Sequence, residues 1–393
     1  MIPIAVRAPP PPRDFALWRL GFRPFYLLAS AFAALSILLW VAQYAGLLPA
    51  AYLAGPLWHG HEMLFGFTLA VVGGFLFTAV RNWSGLPTPS GAPLAACALL
   101  WLAGRMLVLT PFGTVAAFVN AAFPVAIAVG IGIPLWKSGN RRNFFFVGLL
   151  LLLAAASLAF HLSLQGRLDW PQRAGIEAGL DIVLFIMAVV GGRVIPMFTN
   201  NGVPGTNARR DSRVERLALG GALALLAADL LQAPPVAVAC IALVAALAHG
   251  ARLALWKPWR TFGTPLVWIL HAAYAWIVAY LVLRSLAGFG LVAGSFAIHA
   301  LTVGAIGGLT IGMMTRTARG HTGRPLAADG FEVACYALVM TAALLRVAGA
   351  MAIPALHVEA VIASGVCWSA AYGIYFVRYW PVLTRARVDG QPG

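Results

Sequence analysis

Twelve apolar runs, each about long enough to cross a bilayer, follow one another with short breaks: 25–48, 58–80, 93–109, 114–134, 143–164, 175–196, 214–231, 235–256, 265–286, 295–314, 331–352 and 358–380. A ~30 Å hydrocarbon core takes roughly 20 residues of helix, and its lack of water makes each run satisfy its own backbone hydrogen bonds. The chain is 61% hydrophobic and 10% charged, far from the roughly one-quarter charged residues of a soluble domain. The expected fold is therefore all-α: a polytopic transmembrane helical bundle of about twelve helices and one integral membrane domain over residues 1–393. Within it, 1–24 form an arm, 25–380 the helices and 381–393 a tail. The opening stretch has successive prolines and no apolar segment before a small-residue cleavage site, so it reads as a retained cytoplasmic arm. Cys97, Cys240, Cys335 and Cys367 all fall inside runs and read as apolar packing, with no disulfide framework.

A net charge of +15 raises the question of nucleic acid, which the placement of the charges answers. Arg7, Arg13, Arg19 and Arg23 precede the first run and Arg81 follows the second. Lys137, Arg141 and Arg142 follow the fourth; Arg209, Arg210, Arg213 and Arg216 follow the sixth. Arg252, Lys257 and Arg260 come around the end of the eighth, Arg316, Arg319 and Arg324 after the tenth, and Arg378, Arg385 and Arg387 at the end. All of these fall on one side; the opposite loops offer only Arg167, Arg173, Arg284 and Arg346. This is the positive-inside pattern, with both termini cytoplasmic. The basicity orients the chain against membrane lipid and implies no nucleic-acid partner.

Orientation gives each polar residue a depth at ~1.5 Å per residue. His59, His61 and Glu62 lie at the outer end of the second run, His161 near the outer end of the fifth, Glu177 and Asp181 in the outer third of the sixth, and His299 about one turn into the tenth. His357 opens the twelfth from that side. The inner side has His249, His271 and Arg193, with Arg316 and His321 read as loop residues. Ionisable groups at membrane depth face the bundle interior and mark functional sites. His249 or His357 alone reads as a hydrogen-bonded or interfacial histidine. His59, His61 and His299 together read as metal or haem ligands.

At ~100° per residue His59 and His61 point to opposite faces, so one regular helix does not aim both at one metal. Gly66 and Gly73 follow His59 at heptad spacing, and that bare face suits a flat macrocycle or, more simply, close helix packing, as do Gly304, Gly308 and Gly312. A b-type haem needs one or two imidazoles, which His59 or His61 with His299 supply; no Cys-x-x-Cys-His is present for covalent attachment. Copper takes imidazoles too, with a thioether such as Met63. Glu62 and Asp181 are candidates to orient the imidazoles. An inner group of His271, His321, Arg193 and Arg316 reads first as a structural ion pair, then as a copper or anion site.

Three segments resemble the NnrS family of bacterial membrane proteins: "WHGHEMLFGF" followed by "GGFLFTAVRNWSG", "GGRVIPMFTNNG", and "HALTVGAIGGLTIGMMTRTARGHTGRP". The resemblance implies a multi-pass protein of the bacterial inner membrane that contains haem b and copper and is linked to denitrification and relief of nitric oxide (nitrosative) stress. Its partner would be nitric oxide or another small diatomic. By that similarity His59, His61 and Glu62 carry over from the first segment, Arg193 from the second, and His299, Arg316, His321 and Arg324 from the third; His271 in "WILHAAYAW" matches a further family position. Glycine between the first two histidines, where alanine is commoner in the family, and Thr317, where an aliphatic residue is, depart from its pattern without touching a ligand. The plan of twelve helices with outer histidines on the second and tenth also resembles that of haem-copper oxidases, although the adjacent histidine pair of their copper centre is missing. The competing reading is an ion- or proton-coupled transporter using the same buried His, Asp and Arg residues, with "GGRVIP" as a broken helix. No P-loop, nucleotide fingerprint or nucleophile triad is present, so no residue is assigned as catalytic and no electron donor is named.

Overall fold

In the computed structural model, which describes residues 14–44, 47 and 52–391, the twelve runs are twelve helices. They are α1 (Phe22–Tyr44), α2 (Gly55–Ser84), α3 (Ala92–Leu107), α4 (Gly113–Lys137), α5 (Phe145–Leu164) and α6 (Ala174–Gly202). Then follow α7 (Ser212–Leu230), α8 (Pro235–Leu255), α9 (Pro265–Gly288), α10 (Gly294–His321), α11 (Gly330–Ala352) and α12 (His357–Thr384). Ten of the helical segments are long and apolar enough to span a membrane. The other two are α3, only 16 residues or ~24 Å long, and α7, whose first turn carries Arg213, Glu215 and Arg216. The chain is a multi-pass membrane protein.

Local chemistry sets the ends. Prolines sit in the first turns of α3, α8 and α9, where a missing N–H costs nothing. Asp211 caps α7 by accepting from the Arg213 and Val214 amides at 2.8 and 3.0 Å. Asp329 and Glu332 form a reciprocal capping box on α11. Two limits differ from the hydropathy reading: α6 continues through Pro196 to Gly202, and α10 continues past 314 to His321. Hydropathy falls where helices leave the lipid, not where they stop, so Arg316 and His321 are helical rather than loop residues. The arm also differs from expectation over its described part: Ala16 is fully buried, its amide bonds the Thr384 carbonyl at 2.7 Å, and Phe15 bridges to Arg385. The termini thus pair at the basic end, which the charge rule assigns to the cytoplasm. Residues 1–13 of that arm lie outside the described residues.

Helix neighbours follow a parallel threefold pattern. Units α1–α4, α5–α8 and α9–α12 join through α4 on α5, α8 on α9 and α12 on α1. The second helix of each unit, α2, α6 and α10, runs down the centre. These three line an apolar cavity of about 90 Å³ between Val71, Val72, Val190, Val194, Leu309 and Met313. Each carries a Gly-Gly pair, Gly73-Gly74, Gly191-Gly192 and Gly307-Gly308, that lets a neighbour approach. A Cβ on Gly73 would meet Ile127, one on Gly308 would meet Ala273, and one on Gly192 would overlap the Arg252 guanidinium. These glycines serve packing. Exposed Leu99, Phe118, Val129, Leu152, Leu247 and Val366 face outward, as a lipid boundary requires, and exposed Trp136, Trp259 and Trp380 lie at the basic end of the three units, at interface depth.

Candidate functional site

Two of the central helices leave α-geometry beside their histidines. In α2 the segment Glu62–Thr68 is π-helical, starting one residue after His61; in α10 the π segment is Ala300–Gly307, starting after His299. Such a turn frees carbonyls from the regular ladder and is frequent at functional sites. Side chains reach carbonyls in both segments: Trp101 Nε1 donates to that of Gly66 at 3.0 Å, and the Tyr372 hydroxyl donates to that of Gly307 at 3.1 Å. His59 and His61 precede the π turn, so regular α-phase separates their faces.

His59 packs on Trp40 with ring centroids 5.0 Å apart, and its buried Nδ1 has no hydrogen-bond partner. Within electrostatic reach of His299 are His59 from α2, Arg346 from α11 and His357 from α12. The His299 Nδ1–H donates to the Ser295 carbonyl at 2.7 Å, one turn back. That bond fixes the ring and leaves Nε2 as the lone-pair nitrogen, the arrangement a metal ligand needs. Arg346, one of the few basic residues on the outer side, lies within reach of both imidazoles.

His61 turns the other way and meets His161 from α5, ring centroids 4.7 Å apart and edge to face, beside Phe160 and Phe65. Both imidazoles are fully buried, and both Nε2 atoms lack a partner. Both Nδ1 atoms are held. His61 Nδ1–H donates to Glu62 Oε1 at 2.7 Å, and His161 Nδ1 lies 3.0 Å from the Tyr52 hydroxyl, which Gln165 Nε2 supports at 3.1 Å. Behind Glu62 stands Arg105 of α3, 3.3 Å from Oε1, whose other amine donates to Asn120 Oδ1. The guanidinium also lies over Trp101, 5.7 Å from the ring centre. Tyr52 is a loop residue outside the helices; burial raises its hydroxyl above the ordinary phenol range, so it is neutral. Two adjacent buried imidazoles with unpartnered Nε2 atoms and held Nδ1 atoms are donors of the kind a soft or borderline metal takes.

His161, Arg105 and Tyr52 were not among the ligand candidates. Arg105 had a legible signal, a single arginine inside the apolar run 93–109. His161 had only its depth.

Other sequence candidates go elsewhere. Asp181 orients no imidazole: its neighbours are Arg284, 3.9 Å away, and the Asp229 carboxyl. The inner group does not assemble around one point. His271 Nε2 bonds the Thr199 hydroxyl at 2.8 Å, and His321 packs on Phe22 at 5.7 Å. Arg193 donates to Asn143 Oδ1 at 2.6 Å, and Arg316 lies on the Phe198 ring at 3.7 Å. The shared-ion reading of these four is corrected: each packs with a different partner. Arg324 sits among Arg319, Arg378 and Arg385, with its Nη1 unbonded. Among the described residues no three His, Cys, Asp or Glu side chains converge as a metal set, so His59, His61, Glu62, His271, His299 and His321 are not one centre. His249 is held at both nitrogens, by the Tyr274 hydroxyl at 2.6 Å and the Ala218 carbonyl at 3.1 Å, which fits its structural reading.

No curated protein matches the chain. A family model described as NnrS protein matches residues 16–387, from the docked arm to the tail and through all twelve helices. With nearly its whole length covered, and with the outer histidines of α2 and α10 inside the match, the chain belongs to the NnrS family.

Proposed function

We propose that this chain is a haem- and copper-binding membrane protein of the bacterial inner membrane that handles nitric oxide or a similar neutral diatomic, in protection against nitrosative stress during denitrification. The observation that carries the reading is the division of the outer imidazoles: His59, with an unpartnered Nδ1, lies near the held ring of His299, while His61 packs on His161 with both Nδ1 atoms held and both Nε2 atoms unpartnered. His59 and His299 stand on two parallel helices beside Arg346. The orphaned Nδ1 of His59 and the pinned ring of His299 fit axial ligation of haem b, and Arg346 supplies a cation suited to its carboxylates. His61 and His161 fit copper, with Glu62 and Tyr52 holding the ligand rings. A haem held by these residues would supply one-electron redox chemistry and an iron suited to a neutral diatomic. A neutral gas enters from lipid without a polar channel. The transporter reading loses its interrupted helix, because α6 is continuous across "GGRVIP".

The test is the reduced-minus-oxidised optical spectrum of detergent-purified protein, recorded with and without nitric oxide. A b-type haem whose reduced spectrum changes with nitric oxide is expected. Purified protein without haem, under haem-replete expression, would sink the reading.

A further inference from the structure

A second polar layer lies away from the histidines, between the outer halves of α6, α7 and α9. On α6, Glu177 and Asp181 are one turn apart on one face; α7 adds Asp229, and α9 adds Tyr280 and Arg284. Arg284 donates through Nη2 to Asp229 Oδ2 and through Nη1 to the Tyr280 hydroxyl at 2.8 Å. Arg173, before α6, is the remaining charge near Glu177. Leu64 and Phe65 of α2 close the α6 face at Gly179 without polar groups.

Asp181 and Asp229 therefore share one guanidinium, which is engaged with Asp229. Asp181 is fully buried, neither of its oxygens has a hydrogen-bond partner, and Arg284 stays 3.9 Å away. The Asp229 carboxyl, held by the same guanidinium, interacts with it. Two carboxylates around one guanidinium are all acceptors, and their like charges repel. Only an added proton or cation bridges them. The proton is favoured, because Asp229 already holds the Arg284 cation.

We propose that Asp181 and Asp229 form an exchangeable proton-binding site in the outer half of the membrane, loaded from the outer surface through Glu177. Loading forms one O–H bond on the pair from a solvent proton; release returns that proton, and no other bond changes. Exposure grades inward to match: Glu177 is exposed, the Asp229 side chain is 15% exposed and that of Asp181 is 0%. The site is a store and not a through-path. The next polar layer, Tyr274, His249, Arg252 and Glu215, begins six residues along α9, ~9 Å away, with fully buried Ile277 between. This inference does not rest on haem or copper.

Infrared difference spectroscopy of the lipid-reconstituted full chain, stepped in pH, tests it. A protonated-carboxyl absorption is expected at neutral pH that shifts in heavy water and disappears as pH rises. It should be lost in Asp181→Asn or Asp229→Asn, and should persist with slower heavy-water exchange in Glu177→Gln. The wild-type band is readable even if an aspartate variant does not fold. Absence of that band in wild type, or its persistence in both folded aspartate variants, overturns the proposal. A band that vanishes on replacing choline with sodium at fixed pH also overturns it, in favour of a sodium site.

Discussion

The ion pair between Glu62 and Arg105 holds the His61 ring from behind, and its strength is measurable. Glu62 is fully buried, Arg105 is 6% exposed, and Oε1 lies 3.3 Å from the guanidinium. At an effective dielectric of ~20, Coulomb's law gives about 5 kcal/mol at that separation. Glu62→Gln keeps the shape and the acceptor for His61 but leaves Arg105 buried without its counter-charge, which costs about 3–5 kcal/mol. Arg105→Met strands the carboxylate in the same way and removes the donor to Asn120, a similar cost. The double variant strands no charge and should lose only about 1–3 kcal/mol, chiefly the unsatisfied Asn120 oxygen. The coupling energy is therefore expected at about 3–5 kcal/mol. Reversible unfolding in mixed micelles, followed by tryptophan fluorescence for the four proteins, gives it directly. Additive single effects, with coupling under about 1 kcal/mol, would refute the claim that this pair braces the imidazole.

Three further outcomes follow from the same geometry. Tyr52→Phe removes the group that fixes His161 Nδ1 and should weaken copper binding about 10–100-fold in chelator competition, with haem content unchanged; equal affinity would dissociate Tyr52 from the site. Gly192→Ala places a methyl group on a guanidinium that Glu215 grips at 2.7 and 2.6 Å, and should destabilise by about 1–3 kcal/mol, read in the same micelle assay. Asp329 lies outside the membrane-spanning helices. Partial burial opposes its ionisation, but hydrogen bonds with Glu332, Arg378 and the first amides of α11 outweigh that and hold it at about 2. Since the folded value is depressed, its stabilisation is complete above the unfolded value of about 4 and fades as pH falls toward about 2. The stability gap between wild type and Asp329→Asn should narrow across that window, and a gap constant with pH would contradict the assignment.

What the sequence revealed depended on whether the physics was local. Hydropathy over twenty residues placed all twelve helices, because lipid solvation acts on each segment by itself. Phase separated His59 from His61 because the π turn starts only after them. Pairing across helices was harder. The partner of His61 proved to be His161, a hundred positions away, and depth alone gave too many candidates at that level. Asp181 looked like a support for an imidazole, but its neighbours arrive from α7 and α9, whose rotation about their axes hydropathy does not encode. The threefold plan was hidden for a related reason. The Gly-Gly pairs are followed by Arg81, Arg193 and Arg316 at unequal intervals, so the repeat lies in helix order and direction rather than in residue spacing.

The central claim is that the outer imidazoles form two separate pairs, His59 with His299 and His61 with His161. Haem and copper content of purified wild type and of His59→Ala, His299→Ala, His61→Ala and His161→Ala tests it in one experiment. The account predicts haem loss confined to the first two variants and copper loss confined to the last two. Haem lost with His61 or His161 while copper stays, or copper lost with His59 or His299 while haem stays, would contradict it.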